Sequence, residues 1–561
     1  MMKKMKLFII VVTLTLLLPV SSCNKFDTLN VNPNAKEEVS SNFVLTYVLA
    51  NTAKTYHSLG DFGSDISGAL QYIQRGTNEG SDATNHYLWV RQSWSQFYDL
   101  LRNNEIIYNT SITNKNKFFE GISLTLRAFL FGTMTDLYGD IPYSESLQAS
   151  TGIFFPKYDK QQDVYKGILA DLKQASAILS DPEISQYKID PVSDILYKGS
   201  SDKWRKFANS LRMRYSMRLL NKKADMQQVG VDIVSEFNDA AAYSFISVDD
   251  DASVAYLGTT RDNSAKGGLL NSSNPPYLFK PCKTIIDTLE SLNDPRLHRW
   301  ATPVQRKWDY SATSPQDITV TNIFGESYNI TIVPSSTHDV DTALYVGLPM
   351  GLATVDLVTY NDESSSSFTY PPERSPYISF LHSRYYQNSE TYIKMDLMTY
   401  NEVEFLLAEA AETAGFSVTD PEQHYKNGII ASLKRWGITD GANGFNFSDY
   451  YSNPEVSYSS ASNKLERIME QKWIAGWLTV EPWFDWRRTG YPQFKTGPVT
   501  QYGPETPIRF MYPAPSQDPK YLVNYDAAVK DLERTVYVPT GQTADHNYSR
   551  IWLLQGTNKP Y

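Results

Sequence analysis

Residues 465–492 read LERIMEQKWIAGWLTVEPWFDWRRTGYP. The stretch holds four tryptophans, an aspartate between Phe484 and Trp486, and the adjacent arginines Arg487 and Arg488. Leu465, Ile468, Met469, Lys472 and Gly476 fall near one helical stripe, and Trp473 and Trp477 flank it at a spacing of four, as on a helix that buries aromatics against a neighbour. This predicts a helix over 464–479. Gly476 omits a side chain where another backbone comes close. After Pro482 the chain is expected to turn out of the helix, with Asp485 capping or pairing with Arg487 or Arg488. An acid used in chemistry stands in an open cleft beside a second acid or base. Nothing of that kind accompanies Asp485, so the stretch reads as the keystone of a helical fold.

Further helices lie around it. Residues 92–110 and 120–137 are long, apolar-rich and free of proline. Asp159 and Gln162 have capping-box spacing ahead of Val164, Ile168, Leu172, Ala175 and Leu179. Trp204, Phe207, Ala208, Leu211 and Tyr215 share a face that leaves Arg205, Arg212 and Arg218 mostly outside it. Residues 393–414 form another stripe through Tyr400, Val403, Leu407, Ala411 and Ala414, with Glu402, Glu409 and Glu412 expected to point away. Asp420, Pro421 and Gln423 open a partner helix, again with a capping box. Helix pairs joined by short turns suggest a tetratricopeptide-like stack, without a clean 34-residue period. The pattern breaks over 225–391. There only short helices such as 284–292 and β-like runs at 318–323 and 330–333 appear, among aromatic-rich loops of the length that carries function.

The ends and the composition set the setting. Lys3, Lys4 and Lys6 precede an apolar run over 7–18, too short to span a bilayer and suited to a secretory signal. Pro19-Val20-Ser21-Ser22-Cys23 resembles a bacterial lipobox, which implies cleavage before Cys23 and lipidation of its thiol. Lipid chains of that kind tether a protein to a membrane without crossing it. Cys282 is then the one remaining cysteine, so no disulfide framework is expected and the thiol is expected to be buried. Without the leader's lysines the formal charge is about −13. That acidity argues against nucleic acid and against charge-driven docking on anionic lipid. Aromatic residues make up 13% of the chain, and many lie in Asn-, Gly- and Ser-rich segments, as suits packing against sugar rings.

Catalytic and metal motifs are missing. The seven histidines form no HExxH and no close pair, and there is no GxSxG elbow or phosphate-binding loop. No cofactor is expected. Asp249-Asp250-Asp251 is the one place for calcium, and it lacks the spaced oxygen ligands of a calcium loop. Glycoside hydrolysis stays open as an alternative, because it needs only two carboxylates brought together in space.

The blocks DLYGDIPYSESLQ (136–148), PKYDKQQDVYKGILADL (156–172), WRKFANSLRMRYSMRL (204–219), YNEVEFLLAEAAE (400–412) and the tryptophan-rich stretch, behind a lipobox and an Asn/Pro-rich leader at 27–35, together resemble the SusD/RagB family of outer-membrane nutrient-binding lipoproteins, in its SusD-like branch. The resemblance implies a mainly α protein in which four degenerate tetratricopeptide-like helix pairs form a superhelix and a loop-rich region packs against it. The domain division is a signal peptide over 1–22 and one SusD-like domain over 23–561. Within it the helical scaffold spans about 41–221 and 393–490, and the ligand-binding region about 225–391. The resemblance further implies a non-catalytic lid on a TonB-dependent outer-membrane β-barrel transporter (SusC-like), lipid-anchored at the outer membrane of a Gram-negative bacterium. Its ligand would be an oligosaccharide or a peptide.

In that family the site is built from loops that include the segment before the second long helix, here 71–94. Tyr72, Tyr87 and Trp89 are its candidate stacking platforms, and Arg75, Asn78, Asp82 and Asn85 its candidates for bonding hydroxyls. The central region offers a second wall at Tyr277, Trp308, Tyr345 and Tyr370.

Overall fold

Val44, Leu45, Val48, Leu49, Ala53 and Tyr56 recur at three- and four-residue intervals and are all buried, which makes Ser41–His57 a helix (α1) with one apolar face. The computed structural model describes residues 40–76, 84, 86–271, 276–363, 374–494, 497 and 505–561. Among the helices that follow are α2 (Ser95–Thr113), α3 (Lys117–Tyr138), α4 (Gln161–Leu179), α5 (Ser201–Arg218), α6 (Ile233–Ala241), α7 (Lys283–Leu292), α8 (Tyr400–Ala411), α9 (Pro421–Arg435), α10 (Lys464–Ala475) and α11 (Glu481–Thr489). Short helices are named by their residues.

From α1 to α6 each helix packs on the next, as α8 does on α9 and α10 on α11. This is the helix-pair stack expected of a tetratricopeptide-like scaffold. Side-chain caps begin several members: Asn116 accepts from the Phe119 N–H (3.2 Å), Ser200 from Lys203 (3.4 Å) and Asn463 from Glu466 (3.2 Å). The stripes predicted on α4 and α5 are buried throughout. Among the described residues no helix is long and apolar enough to cross a membrane.

Short strands accompany the helices: β1 (Ile73–Arg75) lies between α1 and α2, and β2 (Ala252–Ala255), β3 (Phe279–Pro281), β4 (Arg306–Asp309), β5 (Gln316–Thr321), β6 (Ser327–Pro334) and β7 (Lys394–Met398) follow between α6 and α8. β1 pairs antiparallel with β3, Ile73 facing Pro281 and Arg75 facing Phe279. β2 pairs antiparallel with β7, and the third sheet runs β4-β6-β5 with β4 parallel to β6. Cys282 follows β3 and is wholly buried, as expected, and burial pushes its thiol up to about 11.

Several local expectations are corrected. Residues 394–398, predicted as the start of a helix, form β7, because Ala252–Ala255 supplies an edge to pair with. The capping boxes at Asp159 and Asp420 do not form. Asp159 instead accepts from the Tyr143 (3.2 Å) and Ser144 (2.7 Å) N–H groups, and Asp420 makes no side-chain cap ahead of Pro421. The helix expected over 464–479 ends at Ala475, and in place of the turn out of the helix expected after Pro482 the chain forms α11, which starts at Glu481 and stops at Gly490 in the left-handed region (φ 80°). A Cβ on Gly476 would meet the Pro482 ring at 2.3 Å rather than a distant backbone.

The largest correction concerns charge. Glu402 and Glu409 do not face solvent, and Arg212 and Arg218 are buried too. Packed from both sides, α8 has no solvent face on which to leave its acids. Asp136, Glu402, Glu409, Glu481 and Asp485 are buried together with Arg214, Arg218, Lys472, Arg487 and Arg488, so the charges balance. Asp485 pairs with Lys472 at 2.8 Å and with Arg488 at 3.2 Å, and Arg488 reaches Glu409 at 2.5 Å. Arg218 bridges Asp136 (3.0 Å) and Glu481. Arg487 donates to the Ile508 carbonyl at 2.9 Å and lies over the Trp483 ring at 4.2 Å. The stretch 465–492 is thus the point where α3, α5 and α8 are tied to α10 and α11, and Lys472, Glu481, Asp485, Arg487 and Arg488 serve the fold.

Candidate ligand-binding groove

The aromatic residues expected to stand open in 71–94 do not. Tyr72 is fully enclosed, stacked on Trp473 with ring centroids 5.5 Å apart, and its hydroxyl donates to the Trp473 carbonyl. Tyr87 is buried with a backbone φ of 59° and accepts from the Thr506 hydroxyl at 3.3 Å. Trp89 packs against Trp483 (5.6 Å) and Phe510 (5.5 Å). Trp308 is stacked on Tyr377 at 4.5 Å and donates its indole N–H to the Asn361 carbonyl at 2.8 Å. At these four positions the expectation of stacking platforms is corrected. A large ring gains more from a packed, apolar partner than from a wet rim, and the tryptophans of α10 and α11 supply such partners for Tyr72 and Trp89.

The remaining candidates are spread out. Arg75 is half-buried on β1, its guanidinium 5.8 Å from the Phe279 ring. Tyr277 is half-buried with the Arg374 guanidinium 5.1 Å from its ring. Tyr345 is largely buried but lines a cleft, and its hydroxyl lies 2.8 Å from His298 Nδ1. Cys23, Asn78, Asp82, Asn85 and Tyr370 lie outside the described residues.

What 71–94 does contribute is its polar end. Gln92 and Ser93 enter α2 and close one side of a cavity of about 270 Å³, which Thr55, Ser58, Ser64, Asp65, Gln96 and Lys266 also line. Its floor is apolar, made by Leu59, Phe97, Leu137 and Phe510. Through Thr55, Ser58 and Gln96 it continues into a trough of about 400 Å³ walled by Tyr47, Asn51, Lys54 and Asp99. Tyr47, Asn51, Thr55 and Ser58 follow one another along the outer face of α1 and the turn after it, opposite the face that packs on the core.

The groove's chemistry is hydroxyl, amide, carboxylate and ammonium. The Gln92 amide donates to Asp65 at 3.3 Å. Burial pushes the Asp65 carboxyl up to about 6, with that hydrogen bond pulling the other way. Lys266 donates to the Phe62 carbonyl at 2.8 Å, and Lys54 to the Asp262 carbonyl at 2.6 Å. Tyr47, 49% exposed, supplies a ring face at the outer end. Such a surface suits a polyhydroxylated ligand, whose hydroxyls both donate and accept while its C–H faces lie on a ring. The aromatic-loop signal missed it. Its own signal is a face of Tyr, Asn, Thr and Ser at four- and three-residue spacing, which sequence does not distinguish from an ordinary solvated face.

Two carboxylates of the acidic triplet are taken up within the chain. Asp250 pairs with Lys206 at 3.2 Å, Asp251 accepts the Tyr400 N–H at 2.6 Å, and Asp249 is exposed. Among the described residues no group of three His, Cys, Asp or Glu side chains is placed to hold a metal ion.

Residues 33–513 match the model of a family named SusD-like and described as starch-binding, associating with the outer membrane. Among solved structures, a SusD homologue from Bacteroides fragilis is 24% identical, with 92% of this chain and 99% of that one covered and a TM-score of 0.67. Another from the same organism is 21% identical with a TM-score of 0.70, covering 92% of this chain and all of that one. A chitin-binding SusD homologue from Flavobacterium johnsoniae is 20% identical over 92% of this chain and 99% of that one, with a TM-score of 0.66. At these identities the likeness is one of fold. No curated protein matches the chain.

Proposed function

The chain belongs to the SusD-like family of starch-binding proteins associating with the outer membrane, and from that premise we propose that it captures oligosaccharides at the groove between α1 and α2 and passes them to a TonB-dependent β-barrel transporter. It is held at the cell surface by lipid on Cys23 and carries out no chemistry on what it binds. The observation that carries the reading is the family match over residues 33–513. The polar groove beside Gln92 and Asp65 supports it with hydroxyl-bonding groups arranged over an apolar floor. Binding of this kind is modest in affinity, because ordering sugar and side chains offsets much of the contact energy.

Calorimetry on the mature chain with a panel of neutral oligosaccharides and a panel of peptides tests the ligand class. Saturable glycan binding, weakened about tenfold (~1.4 kcal/mol) in Gln92→Ala, is expected. Binding of peptides alone would remove the glycan assignment and leave the uptake role. Release of reducing sugar from a polysaccharide would replace it with hydrolysis. Detergent extraction of the native protein is expected to bring an outer-membrane barrel with it, and a solitary, unlipidated protein would remove the transport role.

A further inference from the structure

A second cleft, of about 620 Å³, shares no lining residue with the groove. Its size lies within the roughly 300–1,000 Å³ of small-ligand sites. Its walls are the C-terminal end of α7, the loop carrying Leu344 and Tyr345, and the residues around the short helix Phe447–Tyr451.

Its charge is one-sided. Among the described residues no lysine or arginine lines it, while Glu290, Asp294 and Asp449 do. Asp294 is taken up inside the fold by Arg296 (2.6 Å) and the Tyr450 hydroxyl (2.6 Å). Glu290 and the exposed Asp449 are left to face a ligand. The one lining ring that can become cationic, His298, is held below the usual histidine range by burial, against the pull of Glu326 and Asp294, and is neutral at pH 7. Burial holds Glu290 up to about 7, with Asp287 and Asp341 adding to it and the Tyr345 N–H and Lys283 opposing, so at pH 6.5 it is mostly protonated until a cation beside it favours its ionised form. Lys283 is itself paired with Asp287 (2.9 Å) and Asp341 (3.2 Å).

Aromatic and amide groups complete the site. Phe445, half-buried, gives a ring on which a cation or a sugar ring gains attraction, while Tyr345 is buried in the wall. Asn293 and Asn446 are exposed at its edge, and Asn446 uses its amide oxygen to cap the Asp449 N–H at 3.0 Å, so its NH2 is the group turned to other use. No lining residue lies in a strand, so the cleft has no sheet edge on which an extended peptide would pair its backbone.

We propose that this cleft is a second ligand site and that it takes a hexosamine with a free amine, the ammonium meeting Glu290 and Asp449 and the ring lying against Phe445. An N-acetylated sugar has the same ring but no charge, so the cleft discriminates between the two by electrostatics rather than by shape. The proposal stands apart from the groove, and neutral glycan binding there succeeds or fails independently.

The test is calorimetry on the mature chain at low salt and pH 6.5 with three probes: the glucosamine trimer, the N-acetylglucosamine trimer and trilysine. The glucosamine trimer is expected to bind at least about tenfold more tightly than the other two. Asp449→Asn and Phe445→Leu are each expected to weaken it several-fold, while the denaturation midpoint and the effect of Gln92→Ala on neutral glycans stay as in the unaltered chain. Equal binding of the acetylated trimer, trilysine binding as tight as the glucosamine trimer, or an affinity unmoved by both substitutions in folded protein would each overturn it.

Discussion

Arg214 grips Glu402 with two arms of its guanidinium, Nε to Oε1 and Nη2 to Oε2, each at 2.7 Å, and so fastens α5 to α8 across 188 positions of sequence. Its Nη2 also donates to the Leu397 carbonyl at 2.8 Å. Removing one partner leaves the other charged and buried, which costs about 3–5 kcal/mol. Arg214→Met is therefore expected to lose that much in urea unfolding. The double substitution Arg214→Met with Glu402→Met should recover only part of it, because the pair leaves together but Glu481, which Arg214 also meets at 3.4 Å, is left with Arg218 alone among its ion-pair partners. A single-variant loss below about 1 kcal/mol would place the pair among weak surface bridges instead.

Trp308 separates a folding role from a binding role. It is 4% exposed, stacked on Tyr377 and hydrogen-bonded to the Asn361 carbonyl. Trp308→Ala is expected to lower stability by about 3–5 kcal/mol and to leave glycan affinity at the groove unchanged wherever the protein is folded. Tyr47→Ala, on an exposed helix face, should do the reverse: stability within about 0.5 kcal/mol and weaker glycan binding by calorimetry. The opposite pattern would return Trp308 to the binding surface.

These two residues also mark how far the sequence was legible. The helices and their apolar stripes could be read because burial imposes a period on residue types, as Val164 to Leu179 illustrate. Strand β7 could not, since its partner Ala252–Ala255 lies more than 130 positions earlier and leaves no local mark. Glu402 and Glu409 were misplaced because a carboxylate on a helix looks solvated until the arginine that meets it is known. The ring-rich segment 71–94 reaches the groove only through Gln92 and Ser93, and the burial of Tyr72 and Trp89 has no local mark in sequence. Composition reports that a ring is present, not whether another ring is waiting to cover it.

Stability should change with pH in two opposite stages. Asp251 is pushed up to about 7 by burial, with Asp396 adding to it and the Tyr400 N–H and Arg435 opposing. Glu470 is likewise raised to about 7, first by burial. In the folded chain these carboxyls hold protons that the unfolded chain has released, so stability rises as pH falls from about 8 towards 5. His298 and His382, lowered by burial, work against this below their ordinary range. Asp485 behaves oppositely: burial raises it, but Lys472, Arg488 and Arg218 outweigh burial and hold it at about 2. Its stabilisation is full above the ordinary aspartate range and fades as pH drops through that range towards 2. Denaturation midpoints at pH 8, 6.5, 5 and 3 should therefore peak near 5, and Asp251→Asn should flatten the rise. A midpoint that falls steadily from pH 8 to 5 would contradict the assignment.

Gly60 lies in the turn between α1 and the groove, against the backbone that joins α10 to α11. A Cβ there would stand 2.3 Å from the Thr479 carbonyl carbon and 2.6 Å from the Val480 nitrogen. Main-chain atoms held between two packed helices cannot step aside as a side-chain tip does, so Gly60→Ala forces the turn away from the keystone. The expected cost is about 1–3 kcal/mol, read as a lower denaturation midpoint. Thr55 and Ser58 line the groove just before this turn, so glycan affinity should fall along with stability. Gly152→Ala is the control: its Cβ would meet nothing within 4 Å, and only its φ of +92° opposes the change, so it should destabilise the protein and leave the groove's affinity intact. If both variants lost stability but neither lost affinity, the turn after α1 would not be what shapes the groove.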